Sequence, residues 1–357
     1  MKRLHARLVR AFTRHADDPA AYLARVSKDC KRFPEGDLFP FVLPALALCA
    51  WTGDRQVPRA AAHAAADTLV GLAQTRGEAR LGPLTALNRD SALAVDMGWL
   101  ALAFGTLRET AGVTRFDAQR RHLCDVLRTQ LDEAPEGGAL FSYPGQCYPF
   151  DTLPAVLALR MDDRLTATPR SATTIARHLA WLRGAGSDPA TGLPVSALAT
   201  DRKTANAGPR GCDLSLRLAL LGPLAPILAR ESYARYVRTY WSDRLVLAGF
   251  REHPTGQDGA MDVDSGPILY GIGMAASAFG LATTRVMGDR WRHSRLAFQL
   301  GLWDLGWRLA ARIRGERLRG ATVPELGVPV DTGCVTGFLF GDACLLFALG
   351  WPPSTRA

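Results

Sequence analysis

Two kinds of helical segment alternate along this chain, and the alternation limits its fold more than any other feature. Segments 90–111, 211–228, 266–288 and 334–349 are apolar almost all round and rich in Gly and Ala. Segments 116–133, 171–184, 230–244 and 291–313 carry Arg, Asp and Gln at regular intervals. A helix apolar all round is buried by its neighbours, whereas one with a charged face meets water. The alternation therefore predicts an inner and an outer ring of helices. Further segments at 19–30, 39–51, 58–76 and 150–161 bring the helices to about twelve, divided by Gly, Pro and Asp. In 58–76, Val57, Ala61, Ala65, Leu69 and Leu72 recur at helical spacing. Strand signals are almost absent. The predicted class is all-α, an (α/α)6 toroid or barrel of about twelve helices in six pairs. At roughly 150 residues per domain, 357 residues suggest two domains. No low-complexity linker divides the chain, so one domain over 1–357 is expected. A superhelix of helix pairs is the alternative, but no fixed-period motif supports it.

Charge narrows the partners. The formal net charge is +9, and four lysines stand against 39 arginines. The arginines are scattered, with short clusters at 118–121 and 310–319, rather than gathered into the stripe or tail of a nucleic-acid binder. A GC-rich coding background explains them, and a funnel toward an anionic small molecule is a second use. Arg210, Arg217 and Arg251 are the candidate anion contacts. No run reaches the roughly 20 apolar residues of a membrane span. The start, MKRLHARLVRAF, has no apolar stretch after its basic residues, so no secretory signal is expected. Seven cysteines without a CxxC pair fit reduced thiols and a cytoplasmic location. The scattered cysteines and histidines predict no zinc site, and no cofactor is expected. A homo-oligomer remains compatible with the sequence.

In a toroid the loops before the inner helices gather at one mouth, where binding residues concentrate. The loops at 33–40, 140–152, 206–213, 251–267 and 329–333 have that place. The run from Ser142 to Pro154 holds Tyr143, Cys147, Tyr148, Phe150 and Asp151. An acid among aromatics is poorly solvated, which raises its pKa and suits proton donation. Asp151 also fits a plain helix cap, with Pro154 in the first turn. In the run 259–270, Asp262 and Asp264 stand two residues apart, with Tyr270 beyond them. Two carboxylates in one pocket keep one protonated, which makes an acid and base pair. Capping by Asp264 or Ser265 before Pro267, and metal binding by the pair, are the alternatives. In Pro209–Arg217, Asp213 opens an apolar helix, Cys212 is a candidate reactive thiol, and Arg217 a candidate anion contact. Glu35, Asp37, Asn88, Asp90, Asp96 and Asp331 are weaker candidates. No P-loop, dinucleotide fingerprint, Ser-His-Asp order or HExxH occurs, which argues against kinases, dehydrogenases and zinc proteases.

Order and spacing carry a resemblance. From about residue 98 to 289, GWLALAFGTLRETAG, SYPGQCYPFDTLPAVLAL, ESYARYVRTY and ASAFGLATTRVMGD together resemble the bacterial linalool dehydratase-isomerase family. The resemblance implies an (α/α)6 barrel that adds, removes or relocates a hydroxyl on a monoterpene alcohol without a cofactor. Ser142 and Asp151 stand where that family has its two active-site cysteines. Trp99 stands near its active-site histidine, Cys212 near one of its tyrosines, and Asp37 is the guess for its acidic residue. Asp262-Val-Asp264-Ser265 is also similar to the DxDD motif of class II terpene cyclases, with Asp264 at the protonating position.

The leading expectation is thus a lyase, isomerase or protonation-initiated cyclase acting on an isoprenoid-like, apolar substrate, anionic at one end. Asp264 or Asp151 would donate the proton, and Asp262 or Asp213 would orient the acid or take a proton back. Trp99, Tyr143, Tyr148, Phe150 and Tyr270 would face a developing cation. The first alternative is a carbohydrate-active (α/α)6 enzyme, a glycoside hydrolase or polysaccharide lyase, with paired carboxylates across a glycosidic bond. The second is a non-catalytic helical scaffold, with carboxylates that only cap helices and a centre filled by side chains.

Overall fold

The structure is a computed structural model that describes residues 1–244, 247–318, 321–323 and 328–352. In chain order its α-helices are α1 (Lys2–Asp17), α2 (Pro19–Asp29), α3 (Phe39–Cys49), α4 (Arg59–Leu81), α5 (Ala94–Ala111), α6 (Asp117–Glu133) and α7 (Thr152–Leu165). They continue with α8 (Ala172–Arg183), α9 (Gly211–Leu224), α10 (Pro226–Tyr240), α11 (Met274–Val286), α12 (Arg290–Leu318) and α13 (Leu339–Gly350). Helix α3 packs on α5, α5 on α7, α7 on α9, α9 on α11, α11 on α13, and α13 back on α3. That closes an inner ring of six. Helices α4, α6, α8, α10 and α12 pack outside it, and α1 fills the remaining outer place against α13 and α4. The protein is an (α/α)6 barrel.

The physical cause is the one the alternation implies. Every residue of α3 is buried, as is every residue of α5 from Ala94 to Leu107. The outer α6 buries only one side, including Leu123, Cys124, Leu127 and Leu131. Inner helices come close where glycine allows it. A Cβ on Gly98 of α5 would lie 2.8 Å from the backbone nitrogen of Ala155 in α7. Helix α1 adds an element beyond the twelve read from the sequence, and its buried Leu4, Leu8, Val9, Phe12 and Ala16 do carry helical spacing.

One inner helix breaks a rule and repairs it. Pro44 lies inside α3. Proline has no N–H, so the carbonyl four residues back, that of Pro40, has no intrahelical donor. The buried Tyr22 hydroxyl of α2 donates to that carbonyl at 2.6 Å.

Short hairpins trim the expected helices. The segment expected at 266–288 becomes helical only at Met274. Before it, β5 (Ile268–Leu269) pairs with β6 (Ile272–Gly273). Tyr270 and Gly271 between them have φ of 52° and 81°, the signature of a type I′ turn. The segment expected to end at 244 stops at Tyr240, because β3 (Trp241–Arg244) pairs with β4 (Leu247–Phe250). Two further hairpins join β1 (Ala197–Leu198) to β2 (Ala205–Ala207) and β7 (Thr322–Val323) to β8 (Val328–Pro329). Among the described residues no helix is long and apolar enough to cross a membrane.

Candidate active site

A cavity of about 970 Å³ opens at the N-terminal ends of α3, α7, α9, α11 and α13 and is walled on one side by α12. Among the described residues four carboxyl groups line it: Glu35, Asp151, Asp213 and Asp264. Each comes from the loop before an inner helix or from that helix's first turn.

The loop before α7 is built on its Pro144-Gly145 pair. Gly145 has φ of 73°, and the Gln146 amide donates to the Tyr143 carbonyl at 2.9 Å. This tight turn suits Pro followed by Gly. Cys147 then bridges to Leu198 of β1. Tyr143, Tyr148 and Phe150 are left lining the cavity. The Tyr143 hydroxyl donates to Glu35 Oε1 at 2.5 Å.

Burial, and then the charge of Asp264, push Glu35 up to about 7, against the Tyr143 hydrogen bond that favours its carboxylate. Asp151 is buried. Burial first, and Glu35 second, push it well above the usual carboxylate range, with Asp213 and Asp264 adding to the effect. Asp264 sits at the rim, raised by burial and by neighbouring Asp262. Asp213 has a different setting. The Arg217 guanidinium pairs with it through Nε at 2.8 Å and a terminal nitrogen at 2.7 Å. The Ser196 hydroxyl donates at 2.7 Å to Oδ2, the oxygen that also accepts from the Arg217 terminal nitrogen. The site therefore holds two carboxyl groups that burial pushes up, Glu35 and Asp151, beside one, Asp213, that is ion-paired with a buried guanidinium.

The start of α9 is anchored by Glu252, a residue with no sequence motif to mark it. Its buried side chain accepts from the Cys212 amide at 3.1 Å and from Arg210 Nε at 3.0 Å. The Gly211 amide donates to the Glu252 carbonyl at 2.8 Å. A Cβ on Gly211 would fall 1.9 Å from the Arg251 carbonyl oxygen, so this crossing requires glycine.

Several residues singled out from the sequence lie elsewhere. Trp99 is buried in the ring wall, edge-on to Phe39 and Phe347, and does not line the cavity. Ser142 is buried and bonds the backbone of Tyr148. The Cys147 thiol points to the Leu140 carbonyl at 3.3 Å. Tyr270 occupies its hairpin turn at 76% exposure, away from the cavity. Asp262 pairs with Arg210 and accepts from the Asp264 and Ser265 amides. Burial would raise it, but these partners hold it below its usual value. Asp262 is thus a turn and ion-pair residue, and the DVDS motif does not present two acids to one pocket. Cys212 does line the cavity, but burial, and then Glu252, push its thiol well up, which removes the reactive-thiolate reading. Arg217 is fully buried against Asp213, and Arg251 bonds carbonyls of its own loop, so neither meets a ligand's anion. Arg210 does line the cavity. Asp37, Asp96 and Asp331 pair with Arg76, Arg80 and Arg25, and Asn88 caps the turn at Asp90. The stretch 329–333 contributes nothing to the lining, which comes instead from Thr336, Phe338 and Phe340. Trp303 and Trp307 of α12 also line the cavity and were not singled out from the sequence. All seven cysteines are free thiols, and among the described residues no cluster of His, Cys, Asp and Glu is arranged to hold a metal ion.

Solved structures that match this chain include a glycan hydrolase and its variants. The GH76A alpha-1,6-mannanase from Salegentibacter sp. HEL1_6 matches at 10% identity over 88% of each chain, with a TM-score of 0.50. An inactive double-aspartate variant of that enzyme in complex with alpha-1,6-mannotetrose matches over 87% of each chain with a TM-score of 0.51. A second inactive variant, in complex with alpha-1,6-mannotriose, matches at 10% identity over 88% of each chain, also at 0.51. No family model matches the chain, and no curated protein matches it. The similarity establishes the shared barrel fold. It corrects the likeness to linalool dehydratase-isomerases, and with it the expected terpenoid lyase, isomerase or cyclase, because the matching barrels named above are those of an alpha-1,6-mannanase.

Proposed function

We propose that this protein is a carbohydrate-active enzyme that hydrolyses a glycosidic bond with paired carboxyl groups. One observation carries the reading: Glu35, poised near 7, and Asp213, balanced by Arg217, line the same cavity. Glycoside hydrolysis needs a carboxylic acid to protonate the leaving oxygen and a carboxylate to act on the other face of the sugar. Glu35 is the acid, because a pKa near the working pH suits proton transfer. Asp213 supplies the electron pair, either to the anomeric carbon or to a proton of the attacking water. Asp151, buried and raised well above the usual carboxylate range, is a second candidate proton donor in the same cavity. Tyr143, Tyr148, Trp303 and Trp307 offer flat apolar faces with polar edges, which suit the C–H faces of sugar rings. The mannanases of the same fold support glycan as the substrate class. The scaffold reading is disfavoured, since a cavity of about 970 Å³ stands where side chains would otherwise fill the barrel.

The test is release of reducing ends from α-linked manno-oligosaccharides and a wider panel of oligosaccharides. Glu35→Gln and Asp213→Asn are each expected to lower kcat/KM by about a hundredfold or more with the fold retained. Release of no reducing end from any substrate, or full activity in both variants, refutes the assignment.

A further inference from the structure

Helix α12 is apolar on two sides. Its inward side lines the cavity through Leu300, Trp303 and Trp307. Its outward side carries Phe298, Leu305, Leu309 and Ile313 at spacings of seven and four, each between 57% and 70% exposed, and Leu302, half exposed, borders both this stripe and the cavity. Large apolar side chains grouped on a surface mark an interaction site.

Charge selects the occupant. Along Arg290–Leu318 the sequence has seven arginines against two acids, Asp304 and Glu316. Asp304 is already paired with Arg7 of α1 and Arg308. Arg290, Arg308 and Arg312 are exposed beside the stripe. A second copy of this chain would set the same arginines against one another, on a molecule that already carries +9. An anionic lipid surface accepts both parts at once: aromatic and aliphatic side chains at the acyl boundary, guanidinium groups on the phosphates. The charges and Asp304 forbid spanning, and the helix lies along the interface instead.

We propose that α12 is a docking surface for an anionic phospholipid membrane, with the stripe from Phe298 to Ile313 set into the headgroup boundary. The proposal does not depend on the reaction in the cavity. Because the same helix walls the cavity, docking sets that wall of the cavity against the bilayer.

The test uses sucrose-loaded vesicles, one set of phosphatidylglycerol and phosphatidylcholine in equal parts, the other of phosphatidylcholine alone. The full chain is expected to sediment with the anionic vesicles, and about tenfold more weakly with the neutral ones. Leu305→Gln with Leu309→Gln, and separately Arg312→Glu, are expected to lower partitioning by about tenfold at unchanged circular dichroism. Leu305 and Leu309 do not line the cavity, so the double variant leaves the site intact. A wild-type chain left in the supernatant in both cases overturns the proposal. So does a Leu305 and Leu309 variant that binds as well as wild type. A dimer in sedimentation equilibrium that the same variant dissolves, without vesicle capture, makes the stripe a self-interface and also overturns it.

Discussion

Removing one oxygen atom tests how α3 tolerates a proline at its centre. Tyr22→Phe deletes the hydroxyl that donates to the Pro40 carbonyl at 2.6 Å. The ring stays, with its stacking on His15 at 4.7 Å and its edge contact with Phe41 at 5.5 Å between centroids. What changes is a buried carbonyl left without a donor, which costs about 1–3 kcal/mol. Pro44→Ala returns a backbone N–H to the same carbonyl, because residue 44 is four positions beyond residue 40. In that background Tyr22→Phe is expected to cost only about 0.5 kcal/mol, the low end for a hydrogen bond whose acceptor keeps a second partner. The coupling in a double-mutant cycle is then about 0.5–2.5 kcal/mol. Urea unfolding of all four chains, followed by tryptophan fluorescence, measures it, with an unchanged m-value as the control. An equal cost of Tyr22→Phe in both backgrounds refutes the reasoning.

Four further outcomes are expected. The kcat/KM of a glycan substrate should fall as pH rises through about 7, because the proton on Glu35 is lost there; Tyr143→Phe removes a bond that favours the carboxylate and should move that limb to higher pH. Glu35 also binds its proton more tightly folded than unfolded, between its ordinary value of 4.5 and about 7. Stability therefore falls as pH rises through that window, and Glu35→Gln should flatten this part of a pH series of urea midpoints. Trp99→Ala should cost about 3–5 kcal/mol in urea unfolding, as for a large core aromatic; a loss of activity at unchanged stability would instead make Trp99 a substrate wall. Gly211→Ala should lower the thermal midpoint measurably, because its Cβ would meet the Arg251 carbonyl; an unchanged midpoint would mean that the start of α9 moves freely.

The helices were legible because burial leaves a period in the sequence. The runs at 90–111, 211–228, 266–288 and 334–349 are apolar almost all round, and the helices they hold, α5, α9, α11 and α13, are inner helices. The start of α11 was not legible, because Tyr270 takes a positive φ that its side chain does not advertise. Placement of Asp151, Asp213 and Asp264 before inner helices follows from chain order. Their chemistry does not. Asp262 and Asp264 are two residues apart, yet one faces the cavity rim and the other pairs with Arg210. Glu35 was only a weak candidate, since its raised pKa rests on burial in the closed barrel and on the charge of Asp264, far along the chain.

Sequence by itself determined the ring: periodic burial decides which helices go inside, and six inner helices close on themselves. Only the tertiary structure decided which carboxyl groups hold protons and which are paired. Protonation depends on solvent exclusion and on charges a few ångströms away, and here those charges come from Glu35, Arg210 and Asp264, on elements that meet only when the barrel closes.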